Sequence, residues 1–203
     1  MINDLFQLLK KYNIPGPRYT SYPTVPSWKG INKDQWFEHF QNALSGQTPS
    51  LSIYIHVPFC ESLCAFCGCT KMITKNRSFA VEYLEAIFKE FAFFEKMIPP
   101  NTKVSEIHLG GGSPSWLNPM ELRQLLAPIL NSKKLVIDRQ FLEQSIEMDP
   151  RTTTSEHCES MLGLGFNRVS LGVQDTNEKV LKSIQRSQPL ELITKVINDL
   201  KKS

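Results

Sequence analysis

Past residue 50, short β-forming stretches alternate with amphipathic helical ones, and each β-forming stretch has one apolar and one polar face. Residues 51–57 set Ile53, Ile55 and Val57 against Ser52, Tyr54 and His56. Residues 104–109 set Ile107 and Leu109 against Glu106 and His108. Residues 141–148 set Ile146 and Met148 against Ser145, Glu147 and the following Asp149. Residues 168–174 set Val169, Leu171 and Val173 against Arg168, Ser170 and Gln174. Alternating strands and helices imply a parallel sheet with right-handed crossovers. A doubly wound sheet is covered by helices on both sides, so its central strands are apolar on both faces. Strands with one polar face fit a barrel or partial barrel, with helices outside and polar groups lining the lumen.

The helical stretches have their own signals. Residues 81–97 place Leu84, Ile87, Phe88, Phe91 and Phe94 on one side. Asn118-Pro119-Met120-Glu121 is a helix start, with Asn as N-cap, Pro at the first helical position and Glu at the third. The stripe that follows is Leu122, Leu125, Leu126 and Ile129. A helix over 155–162 ends at Gly163 and Gly165, and two more are predicted from Asn177 and Leu190. The fold class expected is therefore α/β: the first four βα units of a partial (β/α) barrel over residues 51–203, preceded by an arm over residues 1–50. That arm opens with a short amphipathic helix and continues through Pro15-Gly-Pro-Arg-Tyr-Thr-Ser-Tyr-Pro-Thr-Val-Pro26. Proline at this density prevents a regular helix or a central strand.

Four of the five cysteines fall between Cys60 and Cys69, as Cys60-Glu-Ser-Leu-Cys64-Ala-Phe-Cys67-Gly-Cys69. Three thiolates spaced C-x3-C-x2-C can hold three irons of a 4Fe-4S cube and leave the remaining iron open to a small molecule. Zinc sites usually pair two spaced C-x2-4-C or Cys/His couples. Here no second couple follows, and the nearest histidine, His56, precedes the loop. A disulfide framework fits poorly with two-residue spacing and the lack of a secretory leader. Cys69 is open between a fourth ligand, a spare thiol and a functional group. Cys158, in a helical pattern, reads as a buried apolar residue.

Composition excludes other classes. A net charge of +3 with scattered basic residues is too weak to argue for nucleic acid or membrane partners, and neither is expected. No stretch approaches the roughly 20 apolar residues that a span needs. Free thiols point to a reducing cytoplasm. In barrels of this kind, sites form at the C-terminal strand ends. There the sequence collects the cysteine loop, Gly110-Gly111-Gly112-Ser113-Pro114-Ser115, Glu147-Met-Asp149-Pro150-Arg151 and Gly172-Val-Gln174-Asp175. The glycine run lets backbone groups approach a ligand, but it lacks the spacing of a nucleotide P-loop.

The chain resembles the radical S-adenosylmethionine (radical SAM) superfamily and, within it, the oxygen-independent coproporphyrinogen III oxidases. The residues that carry the resemblance are Arg18-Tyr-Thr-Ser-Tyr-Pro-Thr24, Tyr54-Ile-His-Val-Pro-Phe-Cys60, Cys64-Ala-Phe-Cys-Gly-Cys69, Gly110-Gly-Gly-Ser-Pro-Ser115, Glu147-Met-Asp-Pro-Arg151 and Gly165-Phe-Asn-Arg-Val-Ser-Leu-Gly-Val-Gln-Asp175. It implies a partial radical SAM barrel. Its cofactors would be a 4Fe-4S cluster on Cys60, Cys64 and Cys67, and S-adenosyl-L-methionine. Gly111, Gly112 and Ser113 would contact the methionine part of that cofactor, Tyr54 and Phe66 its adenine side, and Glu147, Gln174 and Arg186 its ribose, amino or carboxylate groups. Cys69 and His56 would stand near the chemistry, with Arg18 and Tyr22 on the substrate side. The implied reaction is oxidative decarboxylation of two propionates of coproporphyrinogen III, giving protoporphyrinogen IX. The implied electron donor is a flavodoxin or ferredoxin, and the implied state is monomeric. Family members are longer, so the resemblance also implies the cluster-bearing N-terminal portion of such an enzyme, with an unpaired edge after the fourth strand. A haem-binding chaperone of a related branch and a non-catalytic fragment are the alternatives.

Overall fold

A computed structural model describes residues 2–13, 24–46 and 48–202. The arm residues Arg18, Tyr19 and Tyr22 lie outside the described residues. The chain divides into two compact units, Met1–His39 and Phe40–Ser203. In the first unit, α1 (Ile2–Tyr12) is amphipathic and exposes Leu5, Phe6, Leu8, Leu9 and Tyr12. Helix α2 (Lys33–Leu44) starts at a reciprocal cap: the Gln35 N–H donates to Asn32 Oδ1, and the Asn32 N–H to Gln35 Oε1. Its last residues fall in the second unit, where Leu44 is part of the core and Phe40 packs against it.

The second unit begins with β1 (Ser50–Val57), then two very short strands, β2 (Phe59–Cys60) and β3 (Met72–Ile73), and helix α3 (Ser78–Met97). Strand β4 (Thr102–Gly111), helix α4 (Pro119–Leu130), β5 (Leu135–Val136), β6 (Glu143–Met148), α5 (Ser155–Leu164), β7 (Arg168–Leu171), α6 (Glu178–Ser183) and α7 (Leu190–Lys202) complete it. The main sheet is ordered β1-β4-β6-β7, with β5 beside the start of β4, and every pair is parallel. Strand order follows chain order without reversal. With right-handed crossovers, such a progression puts the connecting helices on one side, as in a barrel segment and unlike a doubly wound sheet.

The two faces differ as expected. Ile55, Val57, Ile107, Leu109, Ile146 and Met148 are buried, together with the α4 stripe Leu122, Leu125, Leu126 and Ile129. On the opposite face Ser52, Tyr54 and Glu147 are exposed, and Glu106, His56 and His108 are half-buried. Two residues break the simple pattern. Gln144 sits buried on the apolar side, and Ser145 is buried on the polar side against His108 Nδ1 at 2.7 Å. Cys158 is buried in α5, as expected of an apolar residue.

Several boundaries move, each for a local reason. Helix α3 starts at Ser78 rather than 81, because Asn76 Oδ1 accepts the Ser78 N–H. Strand β6 starts at Glu143, since the N–H groups of Phe141 and Leu142 both close onto Asp138 O in a turn. Helix α5 runs through Gly163 and stops only at Gly165, where φ is +93°; the Phe166 N–H then reaches back to Met161 O. Strand β7 ends at Leu171 instead of 174. The Val173 N–H turns back to Leu171 O, and Gln174 takes φ +66°, so Gln174 stands in a loop and not on a strand face. The α4 start is as read: Asn118 and Glu121 form a reciprocal capping box.

Candidate cofactor site

The C-terminal ends of the four long strands open on one cavity of about 290 Å³. Its wall includes Cys60, Cys64, Cys67 and Cys69 from the cysteine loop, Phe66 between them, Gly111 at the end of β4 with Gly112 and Ser113 beyond it, Glu147 and Asp149 at the end of β6, Gln174 after β7, and Arg186. Of the nominated residues that lie among the described ones, Tyr54 and His56 stand outside this wall. Tyr54 stacks on His108 with ring centres 5.6 Å apart, and its hydroxyl meets His56 Nδ1 at 2.9 Å. His56 Nε2 meets Thr70 O at 2.8 Å, so both ring nitrogens are engaged within the protein. The pair thus braces the far end of the cysteine loop. Burial, followed by the Glu147 and Cys69 charges, raises the Tyr54 phenol above its ordinary pKa.

The cysteine loop is closed at its base by a pairing that sequence did not suggest. Strands β2 and β3 align Phe59 with Met72 and Cys60 with Ile73. The Met72 N–H donates to Pro58 O and the Thr74 N–H to Cys60 O. Inside the loop, Lys71 Nζ donates to Cys67 O at 2.9 Å and to Cys69 O at 3.2 Å. The Ala65 N–H reaches Ile184 O beyond α6.

Charged groups distinguish the thiols. Burial pushes the Cys60 thiol up to about 11, with the Cys67, Asp149 and Cys64 charges adding to it. Burial also acts upward on Cys67, but hydrogen bonds from Cys69 and the Lys71 ammonium outweigh it and hold that thiol below its ordinary value. Cys69 is raised by burial and by its hydrogen bond to Cys67. Cys64 Sγ faces two guanidiniums, Arg186 Nη1 at 3.4 Å and Arg151 Nη2 at 3.7 Å. Arg186 is buried, with every nitrogen engaged: Nε on Gln188 Oε1, Nη1 on the sulfur, and Nη2 on Asp149 Oδ1 and Gly172 O.

The glycines at the end of β4 have a reason in the fold besides the one expected. They make room for the chain itself. A Cβ on Gly112 would lie 2.6 Å from Pro58 O, and one on Gly111, where φ is +115°, would lie 2.7 Å from the His56 ring. The Gly112 and Ser113 N–H groups extend the β1–β4 ladder to Val57 O and Phe59 O. Gly111 N–H donates to Glu147 Oε2 at 3.2 Å, and His108 Nε2 lies 3.7 Å from Glu147 Oε1, which aims a half-exposed carboxylate along the rim. Lys71, Arg151 and Gln188 were not singled out as site residues from sequence. Their signal there was slight: a lysine two positions after the last loop cysteine and an arginine two positions after Asp149.

This geometry suits a cluster better than a lone ion. Among the described residues no three Cys, His, Asp or Glu side chains converge on a point where one metal ion could be held, as tetrahedral zinc requires. A cube instead spreads its thiolates over separate irons. Three thiols on one cavity wall, two of them with cationic donors at the sulfur or along the adjoining backbone, are a donor set of that second kind.

A parallel barrel segment with a three-cysteine loop at its first strand end defines a class of cluster-dependent proteins. The chain belongs to the radical SAM superfamily, whose family model matches residues 54–203, and the family implies S-adenosylmethionine and a 4Fe-4S cluster as cofactors. Among curated proteins, it is 37% identical over 190 residues to the oxygen-independent coproporphyrinogen III oxidase of Helicobacter pylori strain J99, covering 93% of this chain and 41% of that protein. It is 36% identical to the proteins of the same name from Pseudomonas aeruginosa, over 91% of this chain and 40% of the relative, and Escherichia coli K12, over 94% and 40%. Among solved structures, coproporphyrinogen III oxidase (HemN) from Escherichia coli, described as a radical SAM enzyme, superposes with a TM-score of 0.83 at 32% identity, covering 97% of this chain and 42% of that one. The chain therefore spans about two fifths of the length of the curated relatives it matches. No helix among the described residues is long and apolar enough to cross a membrane.

Proposed function

We propose that this chain carries the cluster and S-adenosylmethionine site of an oxygen-independent coproporphyrinogen III oxidase. The observation that supports it most is the shared cavity: among the described residues, every nominated one except Tyr54 and His56 lines it. In this reading Cys60, Cys64 and Cys67 hold the 4Fe-4S cluster. Glu147 and Gln174 present polar groups to the amino or ribose part of S-adenosylmethionine, Gly111, Gly112 and Ser113 border its methionine part, and exposed Phe66 covers the adenine side. Tyr54 and His56 act from outside the cavity by holding the loop. Arg186, with its nitrogens taken up inside the protein, serves the cluster side of the cavity first. Cys69, exposed and paired with Cys67, is left as a group beside the cluster and not a ligand of it.

When bound, the two cofactors supply a 5′-deoxyadenosyl radical able to take hydrogen from the β-carbon of a propionate, the step that oxidative decarboxylation to a vinyl group requires. The protein's part is placement and exclusion of water and oxygen. The substrate class, coproporphyrinogen III, and a flavodoxin or ferredoxin as electron donor come from the relatives' activity. A cytoplasmic location and a monomeric state belong to the same proposal.

The test is anaerobic. The chain is reconstituted with iron and sulfide, then given dithionite and S-adenosylmethionine. Release of 5′-deoxyadenosine and methionine is the expected result. A cluster-loaded protein that releases no 5′-deoxyadenosine would overturn the reading.

A further inference from the structure

Arg151 makes more contacts with the cysteine loop than a salt-bridge partner needs. It lies just beyond β6, yet it spans to residues 87 and 89 positions earlier. Its Nε and Nη2 grip both oxygens of Asp149, at 3.0, 3.1 and 2.6 Å. The rest of the planar fork points the other way, with Nη1 on Ser62 Oγ at 3.0 Å and Nη2 on Cys64 Sγ at 3.7 Å. The same Asp149 carboxylate takes Arg186 Nη2 at 3.1 Å, and Arg186 Nη1 lies 3.4 Å from the same sulfur. One largely buried carboxylate therefore aligns two guanidiniums on a single cysteine sulfur. Lysine could neutralise Asp149 equally well, but its point-like ammonium cannot hold a carboxylate, a hydroxyl and a sulfur in fixed directions at once.

Resting on the reading that Cys64 is a cluster ligand, we propose that Arg151 is a positioning residue for the cluster: it fixes the Ser62–Cys64 side of the loop and donates to the Cys64 sulfur, which makes the cluster easier to reduce. Hydrogen bonds to ligand sulfurs and nearby positive charge favour the electron-rich, reduced cluster and raise its potential. Arg151 also lines the cavity, and it differs from the groups assigned to S-adenosylmethionine in being held to the loop and to β6 through Ser62 and Asp149.

The experiment is a dye-mediated potentiometric titration of the reconstituted chain at fixed pH, read by the electron paramagnetic resonance signal of the reduced cluster. Iron and sulfide are counted in the same samples, and melting of the apo-chain is followed by circular dichroism. In Arg151→Met, reduction becomes roughly tenfold less favourable, a fall of about 59 mV for one electron. Arg151→Lys falls less, in the same direction. If Arg151→Met does not retain the cluster, the potential is read in Arg151→Lys. Loss of the cluster from both variants with unchanged apo-chain melting also supports the proposal, because it shows that the fork holds the loop for iron. An unchanged potential in whichever variant retains the cluster overturns it, as does loss of the fold in both, which would make Arg151 a structural partner of Asp149. A wild-type chain that takes up no iron and sulfide overturns the cluster reading and this proposal together, whereas a loaded wild type with an unmoved variant overturns this proposal alone.

Discussion

The two walls of the cavity are built on different principles. The glycine rim after β4 is fixed by main-chain contact. Its N–H groups continue the β1–β4 ladder, and the missing Cβ of Gly112 is what lets that segment lie against Pro58 and Phe59. The cysteine loop has only the two-residue β2–β3 pairing as regular structure, and it takes its shape from side chains: Lys71 within it, and Arg151, Arg186 and His56 reaching in from elsewhere. A rim held by backbone sterics fails by losing the fold, and a loop held by charged side chains fails by losing its cargo. Rigid placement of a cofactor rim next to a loop that must accept a cluster is a workable division of labour for a site assembled after folding.

The largest expected effect breaks the rim. Gly112→Ala pushes a Cβ to 2.6 Å from the Pro58 carbonyl oxygen, a backbone atom that cannot rotate away. Apo-chain stability, measured by urea denaturation, is expected to fall by on the order of 3 kcal/mol. A loss below about 0.5 kcal/mol, the range of an ordinary surface change, would show that the rim is more pliant than its contacts imply.

The next effect belongs to the ligand side of the rim. Glu147 stands half exposed, with Gly111 N–H and His108 around it. Glu147→Ala is expected to weaken S-adenosylmethionine binding by about 2 kcal/mol, the worth of one hydrogen bond to a charged group, while iron content stays at the wild-type level. Isothermal titration of the loaded chain measures it. Unchanged affinity would remove Glu147 from the site.

The smallest effect sharpens the account of the loop. Burial acts upward on Asp149, but hydrogen bonds from Arg151 and the Arg186 charge outweigh it, so its carboxyl titrates below the ordinary value of 3.8. A carboxyl lowered on folding contributes stability that is complete above the unfolded pKa and is lost as pH falls through that value towards the folded one. Denaturation midpoints of the apo-chain are therefore expected to drop below about pH 4, and Asp149→Asn is expected to flatten that part of the profile. Identical acid limbs in the two proteins would mean that the two guanidiniums do not depend on this charge.

What could be read from sequence followed from periodicity and from local chemistry. Alternation with one polar face placed the long strands and argued for a barrel segment, and the run from Asn118 to Glu121 marked a capped helix that is present. The cysteine spacing marked the loop. What could not be read was set by contacts between distant residues. Strands β2 and β3 are too short to show a period. The meeting of Arg151 and Arg186 on Cys64 joins residues 87 and 122 positions apart. Gln174 looked like the end of an alternating strand until the chain turned after Leu171, because alternation carries no signal for where pairing stops. For the glycines, sequence shows that space is needed but not that Pro58 and the His56 ring take it up.

Cys60, Cys64 and Cys67 as the cluster-holding thiols are tested most directly by metal and sulfide analysis of the anaerobically reconstituted chain. Roughly four irons and four sulfides per chain are expected, lost in Cys60→Ala, Cys64→Ala and Cys67→Ala and largely kept in Cys69→Ala. Stoichiometric zinc without sulfide, or a Cys69→Ala protein as empty as the other three, would contradict this assignment.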